Sequence, residues 1–515
     1  MKSYNTLEII KKTITIYMLF CIVIECIVFP ALENLFGCVA LLYGWLLISR
    51  TVLKTSYLYR YFIPFVTIFF YGICFFALPL GVTLIEGKPI TFRFNLPYIT
   101  FFNLILNVTT IVLAFHVCRW IYKEGWLLGI WKKLGYFKAP TEAQIWAMAG
   151  VGILALLYNI TIQGTDMMEA ENKGAFGQIM NQMTMFAILP IAMLFPKYYG
   201  RKSSSIPRTS LIIYFSFIVF LAVVTTKRTL MFTSIVSWGV MTFLVVLLEN
   251  KRLFKAKTNI LIILGLYLAT GPVADLATAM ILNRQSAYSS KAGETLSNIW
   301  DLYLDKEKLH TAYNMASLSN SDNGGDNFYA WSEYYVDNIL LDRVCNLRTQ
   351  DLTLDYATKL GYDNPKMHKY AENFLMFQVP TPILNGLGYT TNKFENNYTP
   401  GDLLSTEGLG LKNMYKGFRV AGDSGIGLFW MGYSYYIFAF FVYVVVFYFF
   451  SSLVYTKMQF IIPIPIIIAL VKYMTYFNNS TGIFRSLNLI LRNGIQEILL
   501  YVILFGIIRL IIRSK

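Results

Sequence analysis

Apolar runs about 20 residues long recur along this chain, and that is the length a helix needs to cross the hydrocarbon core of a bilayer. Twelve segments fit: 14–32, 35–49, 61–85, 98–120, 143–162, 179–195, 211–226, 229–248, 259–279, 427–450, 459–477 and 495–512. The predicted fold class is all-α. It is a polytopic integral membrane protein with about 12 transmembrane helices and a large, mostly helical extracytoplasmic loop. Composition agrees, with 56% hydrophobic and 14% charged residues, where soluble domains carry roughly 25% charged. The N-terminus orders its charges as a signal peptide does, but no small-residue cleavage site follows, so 14–32 reads as an uncleaved first span.

The net charge of +15 falls in short clusters between apolar runs. No basic domain stands apart to hold a polynucleotide, so nucleic acid is not an expected partner. The clusters instead set orientation, because basic residues stay on the cytoplasmic side. With the N-terminus inside, alternate loops hold Arg50, Lys54 and Arg60, then Arg119 to Lys138, then Lys197 to Arg208, then Lys251 to Lys257. About 23 basic and about 4 acidic residues fall inside in this register, with both termini cytoplasmic. The register divides the chain into a transmembrane region at 1–279, an outer loop at 280–426 and a second transmembrane region at 427–515.

A 280–426 loop is far longer than ordinary connections and is expected to be functional. Apolar periodicity predicts amphipathic helices at 328–344 and 364–377, and PTPILNGLGY at 380–389 punctuates them. Five of the six cysteines lie in apolar segments and Cys345 is alone in the loop, so neither a disulfide nor a zinc site is expected. Nucleotide, zinc-protease, serine-hydrolase and dinucleotide motifs are absent.

Three polar features remain. The first is the hairpin at 223–230, where Lys227 and Arg228 face outward against the topology trend. They read either as a snorkelling pair or as an anion fork. The second is FRVAGDSGIGLFWMGY at 418–433, with Arg419 and Asp423 where the loop re-enters the membrane. Asp423 either caps the next helix or serves as a base or orienting carboxylate. The third is YFNNSTGIFR at 476–485, with Arg485 and Arg492 outside. Lys472 lies one to two turns inside span 459–477, and an intramembrane charge is a functional hypothesis by default. Arg284 begins the loop, and His310 and His368 are its histidines. Glu25 lies mid-span and Asp275 near a span end, each seeking a cation.

Outer arginines beside a loop rich in Tyr, Trp and Asn suit a lipid diphosphate carrying a glycan. The arrangement resembles the Wzy-type O-antigen and capsular polysaccharide polymerases. Carrying the resemblance are the dozen spans, the Thr225-Thr226-Lys227-Arg228 hairpin, and Asp423-Ser424-Gly425 followed by a helix reaching Gly432. It implies transfer of a glycan from undecaprenyl pyrophosphate to another lipid-linked repeat unit outside the bacterial cytoplasmic membrane. No cofactor or metal is expected. A chain-length regulator and a flippase are the implied partners. Arg228 and Arg419 would meet the diphosphate, with Lys227, Arg284, Arg485, Arg492 and Lys472 as further binding candidates, and Asp423 would face the acceptor. The related O-antigen ligases depend on a loop histidine, and neither His310 nor His368 lies in a matching context. A lipid-linked oligosaccharide flippase is the reading from another class.

Overall fold

The computed structural model describes residues 5–123, 126–161, 174–224, 228–251, 271–282, 292–309, 331, 333–379, 381–389, 398–410, 418–456 and 459–512. The described residues are about 78% helical, and their only β-structure is two isolated bridges. Six described helices are long and apolar enough to cross a membrane: Leu32–Thr51, Phe62–Ile85, Pro97–Ile121, Phe176–Leu194, Asp423–Ser452 and Ile483–Ile511. Two shorter apolar helices run over Thr209–Ala222 and Thr233–Leu248. The chain is therefore an all-helical protein of the membrane class.

Two compact units form, and they gather segments from all three stretches of the sequence order. The first contains Met1–Lys123, Asn320–Ser451 and Met474–Ile495. The second contains Glu124–Ser319, Ser452–Tyr473 and Gln496–Lys515.

Local signals explain the helix starts in the first unit. Asn5 accepts from the Glu8 amide, Pro97 opens its helix at a position that needs no amide donor, and Asn364 caps Lys366. Thr399 and Asp402 form a reciprocal capping box. Leu32–Thr51 packs on Pro97–Ile121 and on the π-helical turn Ile73–Ala77. Glu25 is fully buried on Thr6–Val28 and accepts the Ile90 amide at 2.7 Å. The partner of this mid-span acid is therefore a backbone N–H, where the sequence suggested a cation.

At the centre of this unit lies a polar helix, Arg348–Leu360, buried from Arg348 to Ala357. A helix of sequence RTQDLTLDYATKL survives burial only if its polar groups are matched. Asp351 accepts four bonds: the Asn95 amide at 2.7 Å, the Leu96 amide at 2.8 Å, the Thr100 hydroxyl at 3.0 Å and Arg348 Nη1 at 2.6 Å. Asp355 accepts Asn95 Nδ2 at 2.6 Å and Lys359 Nζ at 2.7 Å. Gln350 donates to Asn479, which donates to the Asn346 carbonyl. Burial raises the Asp351 carboxyl and lowers the Arg348 guanidinium, and the four converging donors work against the rise at Asp351.

Several expectations change. Residues 333–338 are not helical, and the helix expected over 328–344 shrinks to Ile339–Cys345. The 364–377 helix is present as Pro365–Gln378. Helix in span 459–477 is limited to the short turns Ile464–Ile468 and Leu470–Met474; Pro463 and Pro465 fix where the first of them starts. Most of 259–279 lies outside the described residues.

In the second unit, Ala222, Ala279, Met280, Ile299 and Leu309 form a small apolar core. Asp275 meets Lys306 at 3.6 Å. The tight hairpin tip 225–227 lies outside the described residues, between Arg208–Val224 and Arg228–Leu248.

Candidate functional site

The re-entry segment builds the site. Asp423 does not cap the helix: the N-cap position is Gly422, without a side-chain cap bond, and Asp423 is the first helical residue. Its Oδ2 instead accepts the Tyr443 hydroxyl at 2.5 Å. Those residues are twenty apart in sequence, about 30 Å along a straight helix. The apolar run Asp423–Ser452 therefore folds back on itself. Its corner is Gly432, at φ 56° and ψ −152°, a conformation that essentially requires glycine.

The corner makes two arms. The first, Asp423–Met431, has 9 residues and spans about 13 Å, too short for a bilayer core of about 30 Å. The second, Tyr435–Ser452, has 18 residues and spans about 27 Å. Trp430 and Phe438 meet edge to face across the corner, with ring centroids 5.2 Å apart. The Asp363 and Asn364 amides take up the Leu428 and Phe429 carbonyls at the end of the first arm.

Small residues let the first arm lie flat on the buried polar helix. A Cβ on Gly422 would come within 2.4 Å of Gln350, and one on Gly425 within 2.5 Å of Thr353. The Gly422 amide donates to Thr353 Oγ1 at 2.8 Å. Behind it, Ala421 and Ser480 exchange backbone bonds at 3.0 and 3.1 Å, which brings Gly482 against Asp423.

The resulting nest is polar and closed. Asp423 is 8% exposed and Tyr435 0%. Tyr435, Asn107 and the Ile483 amide flank the carboxylate, but Asp423 Oδ1 receives no bond of acceptable geometry, and Tyr435 Oη and Asn107 Oδ1 are likewise unmatched. Asn107 Nδ2 reaches Tyr71 at 3.4 Å. A carboxylate with one strong donor and one open oxygen can accept a proton or orient a hydroxyl.

The sequence-predicted cations behave differently from expectation. Arg419 donates to Ser405 at 3.0 Å and lies 3.8 Å from Asp402, itself fully buried and also accepting the Phe418 and Arg419 amides. Arg485 donates to the Thr475 and Tyr476 carbonyls at 2.8 and 3.2 Å. Arg492 reaches the Phe377 carbonyl at 3.4 Å. Lys472 pairs with Glu497 at 2.6 Å. Each of these is engaged within the protein.

Arg228 opens its helix, with its side chain outside the described residues, and Lys227, Arg284 and His310 lie outside them altogether. Asp423, Arg419, Arg485 and Arg492 share the first unit, while Arg228 and Lys472 belong to the second. His368 bonds Asp363 at 2.7 Å. Sequence reasoning missed Asp351, Asp402, Asn107, Tyr435 and Tyr443. Asn107 and Tyr443 carried a signal, each as a polar group midway along an apolar run.

Among the described residues no group of three or more metal-ligating side chains forms. No family model matches the sequence, and no curated protein or solved structure matches it.

Proposed function

We propose that this protein is a membrane glycosyltransferase. It would polymerise lipid-diphosphate-linked oligosaccharide repeat units on the outer side of the bacterial cytoplasmic membrane, with both termini inside and about 12 spans. The observation that carries the reading is the Asp423 nest: a buried carboxylate with an open oxygen, held by the Tyr443 hydroxyl at the head of a folded-back arm.

In this reaction the acceptor hydroxyl attacks the anomeric carbon of the donor glycan. Its C–O bond to the diphosphate breaks, and the electron pair leaves with the lipid diphosphate. Asp423 takes the acceptor proton. Cations stabilise the departing diphosphate, with Arg228 as the retained proposal from the sequence. The donor's own diphosphate linkage supplies the driving force, so no nucleotide site is required.

A transporter reading is favoured by one feature, the broken turns at Ile464–Ile468 and Leu470–Met474, since transporters use discontinuous helices. The ligase reading gains nothing from His368, already bonded to Asp363. Purified protein in liposomes, given lipid-linked repeat units, separates these. Longer glycan is expected. Movement between leaflets without lengthening would replace the transferase with a flippase. Arg228→Ala is expected to stop lengthening with protein level unchanged, and Arg228→Lys to be impaired if the grip is bidentate.

A further inference from the structure

Arg419, Arg485, Arg492 and Lys472 are occupied internally, which leaves open what else would meet a diphosphate. One arginine that the motifs did not single out is free to do so. Arg93 lies in the turn before Pro97–Ile121, is exposed, and holds a left-handed backbone at φ 60°. Non-glycine residues adopt that conformation only where the surroundings impose it.

Its guanidinium stands 5.3 Å from the Phe92 ring centre and 5.0 Å from Tyr334. Lys88 approaches the same two rings at 5.1 and 4.9 Å. Lys88 is tied to Glu86 and Asp337. Among the described residues Arg93 has no carboxylate partner and donates no hydrogen bond. Stacking on rings fixes a guanidinium while leaving its edge N–H groups open.

A second observation points the same way. Arg348 is 6% exposed, and its Nε donates to nothing. The charge of Arg93 acts on it. Nearby carboxylates are committed: Asp351 to four donors, and Glu86 to Lys88 and the Asp337 and Asn338 amides.

We propose that Arg93, backed by Arg348, is an anion site that grips a diphosphate bidentately, with Phe92 and Tyr334 as the wall against which an attached sugar packs. Two guanidiniums with unused donors match phosphate oxygens, and aromatic faces match sugar C–H faces. The site deepens the transferase reading and rests on it for the identity of the diphosphate as a lipid-linked donor.

The test uses the full chain in nanodiscs and three probes: inorganic pyrophosphate, farnesyl diphosphate and farnesol. Both diphosphates are expected to bind the wild type, and farnesol far more weakly. Arg93→Ala should weaken diphosphate binding about tenfold or more, the loss of a charged contact. Its melting temperature should change little, because among the described residues Arg93 makes no ion pair or hydrogen bond and gives up only its exposed contacts with the Phe92 and Tyr334 rings. Arg93→Lys should fall between, and Arg93→Glu should abolish binding.

Tighter binding of farnesyl diphosphate than of pyrophosphate identifies a lipid headgroup, and equal binding a free anion. Either supports the site. The inference is overturned if the wild type binds neither diphosphate, if Arg93→Ala binds them as well as wild type, or if farnesol competes equally. Glycan lengthening, measured separately, keeps the two readings apart. Arg93-dependent binding without lengthening breaks the transferase reading alone. Normal lengthening with Arg93-independent binding breaks this inference alone.

Discussion

Asp351 and Asp423 are both buried carboxylates in the first turn of a helix, yet their surroundings differ. Asp351 receives four donors, one of them a guanidinium, and ties the Arg348–Leu360 helix to the turn before Pro97–Ile121. Asp423 receives one tyrosine hydroxyl and keeps an oxygen unmatched. Matching every lone pair makes a buried acid architectural. Leaving one unmatched lowers stability and is retained where chemistry uses it.

This contrast can be broken by substitution. Removing Asp351 strips the buried Arg348 of its ion-pair partner, so Asp351→Ala should cost about 3–5 kcal/mol, read as a lower melting temperature and less protein in the membrane. Wild-type stability there would strip Asp351 of its architectural role. Asp423→Asn should cut glycan lengthening about a hundredfold or more, while stability stays level or rises. Near-normal lengthening would make Asp423 architectural too. The corner comes next: Gly432→Ala forces a side chain into the φ 56° conformation and should cost about 1–3 kcal/mol, lowering melting temperature and lengthening together. A variant with normal melting would show that the arms do not need that corner. The smallest effect is expected from Tyr443→Phe, which removes one bond to a carboxylate, about 1.5 kcal/mol or about tenfold in turnover. Unchanged turnover at saturating substrate would mean that Tyr443 does not position Asp423.

Long apolar helices were legible in the sequence because hydrophobic length alone sets them, as at Pro97–Ile121 and Phe62–Ile85. The re-entry was legible in part. Gly422, Gly425 and Gly427 are where the backbone makes its close approaches, but the reversal at Gly432 is a backbone dihedral that an apolar run does not encode. The burial of Arg348–Leu360 was hidden, because its polarity reads as solvent-facing and its partners Asn95, Leu96 and Thr100 lie some 250 residues earlier. Arg419 and Arg485 were legible as cations. Their engagement was not, since a carbonyl at Thr475 or an acid at Asp402 is recognisable as a partner only once the chain has turned back on itself.

The first arm has a consequence for biogenesis. Nine helical residues with open ends cannot reside alone in lipid, where unmatched backbone groups are costly. The surface that receives them, from Gln350 to Thr353, leaves the ribosome earlier, but the Ser480 bridge that clasps Ala421 leaves later. Insertion of this segment is thus completed only near the end of translation. A chain truncated before Ser480 would expose a half-docked arm to membrane quality control.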